Sequence, residues 1–176
     1  MPTPSLYLFD DRIARLWEPF ALTRPSGELL FGVMTLRGRA ERALDLTCAG
    51  HLTADHLLGF DEAGAPPVLS PEDIPADQPR LFLLSRFVVE PDANVDWELV
   101  PPGPVTSRFG DIVGWFSPAG APAPDEQFLL DPANASAVGP PLLGGRLLHN
   151  VWELISENPE QVARDIEWLT PAGGKG

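Results

Sequence analysis

Two adjacent acids, Asp10 and Asp11, follow directly on a short apolar run at residues 6–9. An apolar run of this length, ended by charged residues, predicts a buried central β-strand. Open α/β sheets bind their ligands beyond the carboxyl ends of their strands, so these two carboxylates could hold a metal ion or a ligand hydroxyl. Carboxylates in this position also cap turns and helices, and the sequence leaves both roles open.

The cations that follow these acids are all arginines. Arg12, Arg15 and Arg24 lie close behind them, and the only lysine of the chain is Lys175. An arginine can bind two phosphate oxygens at once, but it does not donate a proton near neutral pH. Any phosphate held by a basic side chain near the first strand would therefore contact arginine. A salt bridge to a neighbouring acid is the alternative role of each of the three.

Residues 15–25 read Arg-Leu-Trp-Glu-Pro-Phe-Ala-Leu-Thr-Arg-Pro. This segment resembles the signature of the sugar nucleotidyltransferases, in which a glycine-rich loop precedes R-L-x-P-L-T-x-x-R-P-K. The resemblance is closer to a divergent bacterial branch of that superfamily, and residues 22–37, 52–57 and 150–158 carry it. The chain departs from the signature in two places, because residues 10–14 contain no glycine and Ser26 replaces the lysine.

The resemblance implies an α/β fold, with a Rossmann-like (GT-A-like) mixed sheet flanked by helices and an antiparallel β appendage. It implies transfer of a nucleotidyl group from a nucleoside triphosphate to a sugar 1-phosphate, with Mg²⁺ as cofactor. Arg15 occupies the place of the superfamily's phosphate-binding arginine and is the expected catalytic residue. The expected substrate-binding residues are Asp10, Asp11, Arg12, Thr23, Arg24 and Glu28.

The departures keep a second interpretation open, a catalytically inactive nucleotidyltransferase-like domain that binds a nucleotide or sugar phosphate or mediates assembly. Backbone N–H groups of a glycine-rich loop approach phosphates closely, and this loop has no glycine. The Asp that the superfamily carries on its second strand is not recognisable, because Ser85 and Arg86 stand at the place expected for it, after residues 81–84, so the metal ligands are unknown. Members of the branch usually continue into left-handed β-helix repeats, which makes such a C-terminal domain a candidate partner. The sequence also leaves open whether the chain assembles into a homo-oligomer.

Composition predicts one compact domain, residues 1–170, and a flexible tail or linker at 171–176. A chain of 176 residues that is 44% hydrophobic supports one core rather than two. The formal net charge of −13 argues against a nucleic-acid partner, because such binding needs clustered Lys and Arg. With Cys48 as the single cysteine and no long apolar span, we expect a cytoplasmic protein without a disulfide or a membrane partner.

These side chains must be positioned by a small number of elements. Apolar spacing predicts an amphipathic helix at residues 33–46 that exposes Arg37, Arg39 and Glu41. The apolar run at 81–84 predicts a second central strand, and Thr53 is expected to cap a short helix at 54–58. A C-terminal helix is expected to begin with Asn158 as its cap. Short strands are expected at residues 87–90, 97–100, 104–107 and 112–116.

Two side chains outside the first loop carry further expectations. Glu28 is expected to pair with Arg24 and to orient it for a ligand. Trp152 is expected to pack in the core, although an exposed Trp152 beside Asn150 could stack on a sugar or a base. The three histidines have no spacing typical of a zinc site.

Overall fold

The computed structural model describes residues 3–91, 93–135, 139 and 141–170. The strands are β1 Ser5–Phe9, β2 Leu30–Phe31, β3 Met34–Thr35, β4 Cys48–Leu52, β5 Arg80–Leu84, β6 Phe87–Val89, β7 Gly103–Ser107, β8 Ile112–Ser117, β9 Pro141–Leu143 and β10 Gly145–Leu147. The α-helices are α1 Arg12–Arg15, α2 Leu36–Leu44, α3 Glu126–Leu130, α4 Glu153–Ser156 and α5 Asn158–Leu169. Short 3₁₀ turns cover Phe20–Leu22, Ser26–Glu28, Asp55–Leu57, Pro71–Asp73 and Pro132–Asn134.

The main sheet has six strands in the order β4-β1-β5-β8-β7-β9. β1 pairs in parallel with both β4 and β5, and β9 pairs in parallel with β7. β8 is antiparallel to both of its neighbours, β5 and β7. Two small antiparallel sheets, β2–β3 and β6–β10, lie outside it. This arrangement confirms the predicted α/β fold with a mixed sheet, flanking helices and added antiparallel strands.

The core lies on the central strands β1 and β5. No surface is exposed at Leu6 and Phe9 of β1 or at Leu81, Phe82 and Leu83 of β5. Strands covered on both faces appear in sequence as continuous apolar runs, which is why both strands were predictable. None of the helices in the described ranges has the length and apolar composition needed to cross a lipid bilayer.

The predicted helix at residues 33–46 is shorter than expected. The β2–β3 hairpin occupies its first residues, with Gly32 at the turn in a left-handed conformation, φ 74°, that favours glycine. Thr35 then caps α2 by accepting a hydrogen bond from the backbone N–H of Gly38 at 3.0 Å. The helix ends at Asp45, which is itself left-handed at φ 52°. Val33 therefore lies in the hairpin, although its spacing from Leu36 is helical.

Arg39 is buried, with 1% of its surface exposed, and the expectation that it faces solvent is wrong. Its two terminal nitrogens donate to the two carboxylate oxygens of Asp165 on α5, at 2.7 and 2.6 Å. The same carboxylate accepts from the backbone N–H of Val33 at 2.9 Å. Burial of Arg39 and Asp165 as a pair therefore holds the C-terminal helix against α2 and the hairpin.

Three local expectations are corrected by side-chain partners. Residues 97–99 form a turn instead of a strand, because Asp96 accepts from the backbone N–H of Glu98 through its side chain and from that of Leu99 through its carbonyl, both at 3.1 Å. Thr53 does not cap the turn Asp55–Leu57, since its hydroxyl donates to Asp10. Asn158 does not cap α5, because its side chain accepts from the backbone N–H of Gly32. The predicted tail at 171–176 lies outside the described residues.

Replacing Asp165 with Asn should destabilise the protein by about 3–5 kcal/mol, because Arg39 would remain buried without a counter-ion. Urea unfolding followed by tryptophan fluorescence measures the loss. The matched control is Glu160→Gln, which removes an exposed partner of Arg164 on the same helix and should cost less than about 1 kcal/mol. Equal, small losses in the two variants would show that the buried pair does not secure α5.

Candidate functional site

Asp10 is a buried carboxylate at the carboxyl end of β1, with 2% of its surface exposed. One oxygen accepts from the backbone N–H of Ser26 at 3.1 Å and from the hydroxyl of Thr53 at 2.6 Å. The other oxygen accepts from the hydroxyl of Ser85. Thr53 follows β4 and Ser85 follows β5, so Asp10 joins the ends of three parallel strands to the segment behind the Arg-Pro motif.

Asp11 caps α1 and anchors an arginine from the turn that follows the neighbouring strand β5. Its Oδ1 atom accepts from the backbone N–H of Ala14 at 3.0 Å, so the capping role that the sequence left open is present. Arg86, directly behind β5, donates to the same carboxylate through Nε at 3.0 Å and through Nη2 at 2.7 Å. Arg86 also donates to the carbonyl oxygen of Leu148 at 2.8 Å, which fixes the guanidinium in place.

Asp10 and Asp11 do not fit the role of Mg²⁺ ligands. Magnesium is held by carboxylate oxygens that lie beside the phosphates it binds. Asp10 is buried, both oxygens of Asp11 accept from the guanidinium of Arg86, and that cation stands where the resemblance led us to expect an acid. Within the ranges that the structure describes, no group of three or more His, Cys, Asp or Glu side chains could hold a metal ion.

A cleft of about 510 Å³ opens beyond the carboxyl ends of β1 and β5. Asp11, Arg12 and Arg86 line it from the start of α1 and the end of β5. Asp111, just before β8, and Asp131, just after α3, line it as well. This is the edge of the sheet at which open α/β folds bind ligands.

The polar groups of the cleft are of two kinds. Arg12 is exposed and has no ion-pair or hydrogen-bond partner among the described residues, and Arg86 keeps N–H groups that Asp11 and Leu148 do not use. Asp111 and Asp131 each accept one side-chain hydrogen bond at Oδ2, from Ser107 and Asn134, which leaves Oδ1 without a donor in the described structure. The cleft thus offers cations for a phosphate and carboxylate oxygens for hydroxyl donors.

The other predicted site residues of the first loop lie outside this cleft. Arg15 donates through Nε to the backbone carbonyl of Asp10 at 3.0 Å, and its terminal nitrogens have no partner in the described ranges. Thr23 is exposed, and its hydroxyl donates to the carbonyl of Phe20 at 3.3 Å. Arg24 forms a surface ion pair with Glu62 at 3.5 Å. The structure therefore brings Asp11 and Arg12 to the cleft, but not Arg15, Thr23 or Arg24.

Glu28 belongs to an internal ion network, and the expected pair with Arg24 is wrong. Its carboxylate accepts from Arg37 at 2.6 Å and from His51 at 2.7 Å. Arg37 also contacts Glu41 at 2.7 Å on the next turn of α2. Burial by itself would raise the pKa of Glu28, but the hydrogen bonds from His51 and Arg37 outweigh burial and lower it below its ordinary value of 4.5. The network joins the turn Ser26–Glu28 to α2 and β4.

Trp152 and Cys48 lie in opposite environments. Trp152 is 63% exposed, so the expected core packing is wrong, and Asn150 beside it donates to Glu153 at 3.0 Å. Cys48 is buried in β4. Burial raises the pKa of its thiol to about 12, which leaves no thiolate for nucleophilic chemistry at neutral pH.

Sequence reasoning missed three residues of the cleft. Arg86 had a recognisable signal, since a polar pair follows the apolar run of β5 in the same way as Asp10 and Asp11 follow β1. Asp111 and Asp131 had none, because their place depends on the antiparallel pairing of β7 with β8 and on the packing of the segment after α3.

The comparison with known families covers almost the whole chain. A family model described as sugar nucleotidyl transferase matches residues 6–172. The chain belongs to this family. The match runs from β1 to beyond α5, so every residue of the cleft lies within the sugar nucleotidyl transferase domain. Neither the comparison with curated proteins nor that with solved structures found a match.

Replacing Glu28 with Gln should lower the free energy of unfolding at neutral pH and make that free energy depend less on pH. Because folding lowers the pKa of Glu28, its contribution is complete above about pH 4.5 and is lost as the pH falls through the folded-state value. Urea midpoints between about pH 7 and pH 3 measure this. Glu62→Gln removes an exposed ion-pair partner and is the control; its urea midpoint should show the same pH dependence as that of the unmodified chain. If the urea midpoint of Glu28→Gln decreases with pH as steeply as that of the unmodified chain, the acid sensitivity has another origin.

Proposed function

We propose that this chain transfers a nucleotidyl group from a nucleoside triphosphate to a sugar 1-phosphate. A phosphate oxygen of the sugar 1-phosphate attacks the α-phosphorus, the bond to the β-phosphate oxygen breaks, and pyrophosphate leaves with the nucleotide sugar as the other product. Family membership supports nucleotidyl transfer in general. The observation that supports a sugar 1-phosphate as acceptor is the division of the cleft lining into arginines and partly unpaired carboxylates.

The arginines of the cleft are the proposed contacts of the acceptor's phosphate. Arg12 has no partner in the described chain, so its planar guanidinium is available to bind two phosphate oxygens. Arg86 is already held by Asp11 and Leu148, so binding through its remaining N–H groups requires little further ordering of the side chain. An arginine without a partner in the described chain and an arginine anchored by the protein would thus bind the same phosphate.

The carboxylates of the cleft are the proposed contacts of the sugar ring. An ionised carboxylate accepts hydrogen bonds and donates none, so Asp111 and Asp131 suit sugar hydroxyls and repel a phosphate. Ile112, Leu130 and Leu147 supply apolar surface for the less polar face of a ring. Because attraction and repulsion differ along the lining, the acceptor would bind in one orientation, with its phosphate towards the arginines.

Arg15 is the proposed contact of the nucleotide and the residue to which we assign the catalytic role. Its Nε is fixed on the carbonyl of Asp10, and its terminal nitrogens have no partner among the described residues. Thr23 and Arg24 are proposed to bind the nucleotide at the same loop, with Asp10 and Glu28 as positioning residues. No step is assigned to Mg²⁺, because the carboxylates of Asp10 and Asp11 do not fit it. A C-terminal β-helix domain, a homo-oligomer and a cytoplasmic location remain predictions.

Turnover tests the proposal directly. The chain is incubated with a panel of nucleoside triphosphates and sugar 1-phosphates, with and without Mg²⁺, and pyrophosphate release is measured. Arg12→Gln should lower kcat/KM about 10- to 100-fold, since a charge-assisted hydrogen bond contributes roughly 1.5–3 kcal/mol. Arg42→Gln removes a surface arginine outside the cleft and should leave kcat/KM unchanged. Substrate binding without pyrophosphate release from any pair would identify the inactive domain instead.

Asp131→Asn should raise the KM for the sugar 1-phosphate about 5- to 20-fold and leave the KM for the nucleotide within about twofold, because the lost acceptor faces only the sugar. Steady-state kinetics with each substrate varied in turn measure the two constants. Asp61→Asn, at an exposed surface position, is the matched control. A change in the nucleotide KM alone would place Asp131 outside the sugar subsite.

A further inference from the structure

The cleft beyond β1 and β5 contains charges that the protein leaves unpaired. Five charged side chains line it: Asp11, Arg12, Arg86, Asp111 and Asp131. Asp11 and Arg86 neutralise each other, since both oxygens of the carboxylate accept from the guanidinium. The other three form no ion pair with any residue that the structure describes. One positive and two negative charges therefore lie unpaired in the same cleft.

The two unpaired carboxylates are held only by neutral groups. Asp111 accepts from the hydroxyl of Ser107 at 3.3 Å, and Asp131 accepts from the side-chain amide of Asn134 at 2.7 Å. A neutral donor orients a carboxylate but leaves its negative charge in place. Asp111 is exposed and Asp131 is half-buried, so a ligand in the cleft can reach both. The Oδ1 atom of each accepts no hydrogen bond within the described ranges.

A sugar 1-phosphate that carries only hydroxyl groups does not balance these charges. A phosphate monoester brings roughly −1.5 to −2 charges at pH 7, and Arg12 is the one unpaired cation of the cleft lining. Nothing on such a sugar neutralises Asp111 or Asp131, and their charges repel the phosphate. A protonated amino group on the ring would offset one carboxylate. Its three N–H donors also suit an oxygen that accepts no other hydrogen bond.

We propose that the acceptor bound in this cleft is an amino sugar 1-phosphate whose amino group is unacylated and positively charged; this rests on the proposed function, in which the phosphate lies at the arginines. The ammonium group donates to Oδ1 of Asp131, and Asp111 contributes a second negative charge. Asp131 is the main partner because it is the more buried of the two, so water and salt screen its charge less. An acylated amine has no charge and fewer donors, so it loses this partner.

Matched sugars test the role of the charge. The probes are the 1-phosphates of glucose, galactose and mannose, their amino derivatives at C2, C4 or C6, and the N-acetyl forms. Calorimetry of the full chain in EDTA, at about pH 6.5, keeps the amines protonated and prevents a metal ion from bridging the carboxylates. At least one amino sugar should bind about 5- to 20-fold more tightly than its hydroxyl parent, and its N-acetyl form should lose that gain. The same order is expected in kcat/KM. If no amino sugar is preferred over its parent in either measurement, the assignment is wrong.

Neutral amide variants locate the partner of the ammonium group. Asp131→Asn should abolish the preference for the amino sugar, because the amide keeps a hydrogen-bond acceptor but has no charge. Asp111→Asn, at an exposed position, should reduce the preference by about twofold. Asp61→Asn, exposed and outside the cleft, is the matched control and should keep it in full. Full preference in both cleft variants would overturn the proposal.

The two measurements separate the ammonium partner from the transfer reaction. Pyrophosphate release with neutral sugars, without any preference for amino sugars, would refute the ammonium partner and leave nucleotidyl transfer standing. Preferential binding that depends on Asp131, without pyrophosphate release from any acceptor, would refute the transfer and leave the ammonium partner standing. Absence of both binding and release would overturn both.

Discussion

The buried carboxylate of Asp10 is the interaction on which the arrangement of this molecule depends. A buried carboxylate must be matched by hydrogen-bond donors, and here the donors come from Ser26, Thr53 and Ser85. Satisfying that one charge brings the ends of three parallel strands and the segment behind the Arg-Pro motif to the same point. The next residue, Asp11, then pairs with Arg86, which lies in the turn after the adjacent strand β5. The position of the cleft follows from this pair of neighbouring acids.

The departures from the glycine-rich signature alter the structure at the start of α1. In this chain α1 begins directly after β1, and the side chain of Asp11 takes the N–H of Ala14 that a phosphate would otherwise contact. This helix start therefore has fewer free backbone N–H groups for a phosphate, and the proposed function assigns phosphate binding to arginine side chains instead. Behind β5, Arg86 stands where the resemblance led us to expect an acid. Family membership and an altered first loop are thus compatible within one fold.

The fold could be predicted from the sequence where one strand or helix carries its own signal. The apolar runs of β1 and β5 are covered on both faces and so appear as continuous hydrophobic segments. The burial of Arg39 could not be predicted, because its counter-ion lies on α5 and helical spacing on α2 gives no information about it. The β2–β3 hairpin was not predicted, because Val33 lies three residues before Leu36 and this spacing also fits a helix. Asp111 and Asp131 reach the cleft only through tertiary packing, which no local pattern encodes.

The ion pair between Arg39 and Asp165 spans 126 positions of the chain. During synthesis, α2 and the whole central sheet leave the ribosome before α5 does. Until α5 arrives, the guanidinium of Arg39 has no counter-ion and cannot be buried without a large cost. Final closure around α2 therefore waits until α5 has been synthesised, and a nascent chain that still lacks α5 keeps this region open to solvent, chaperones and proteases. A charge that secures the finished protein thus also sets the time at which it becomes compact.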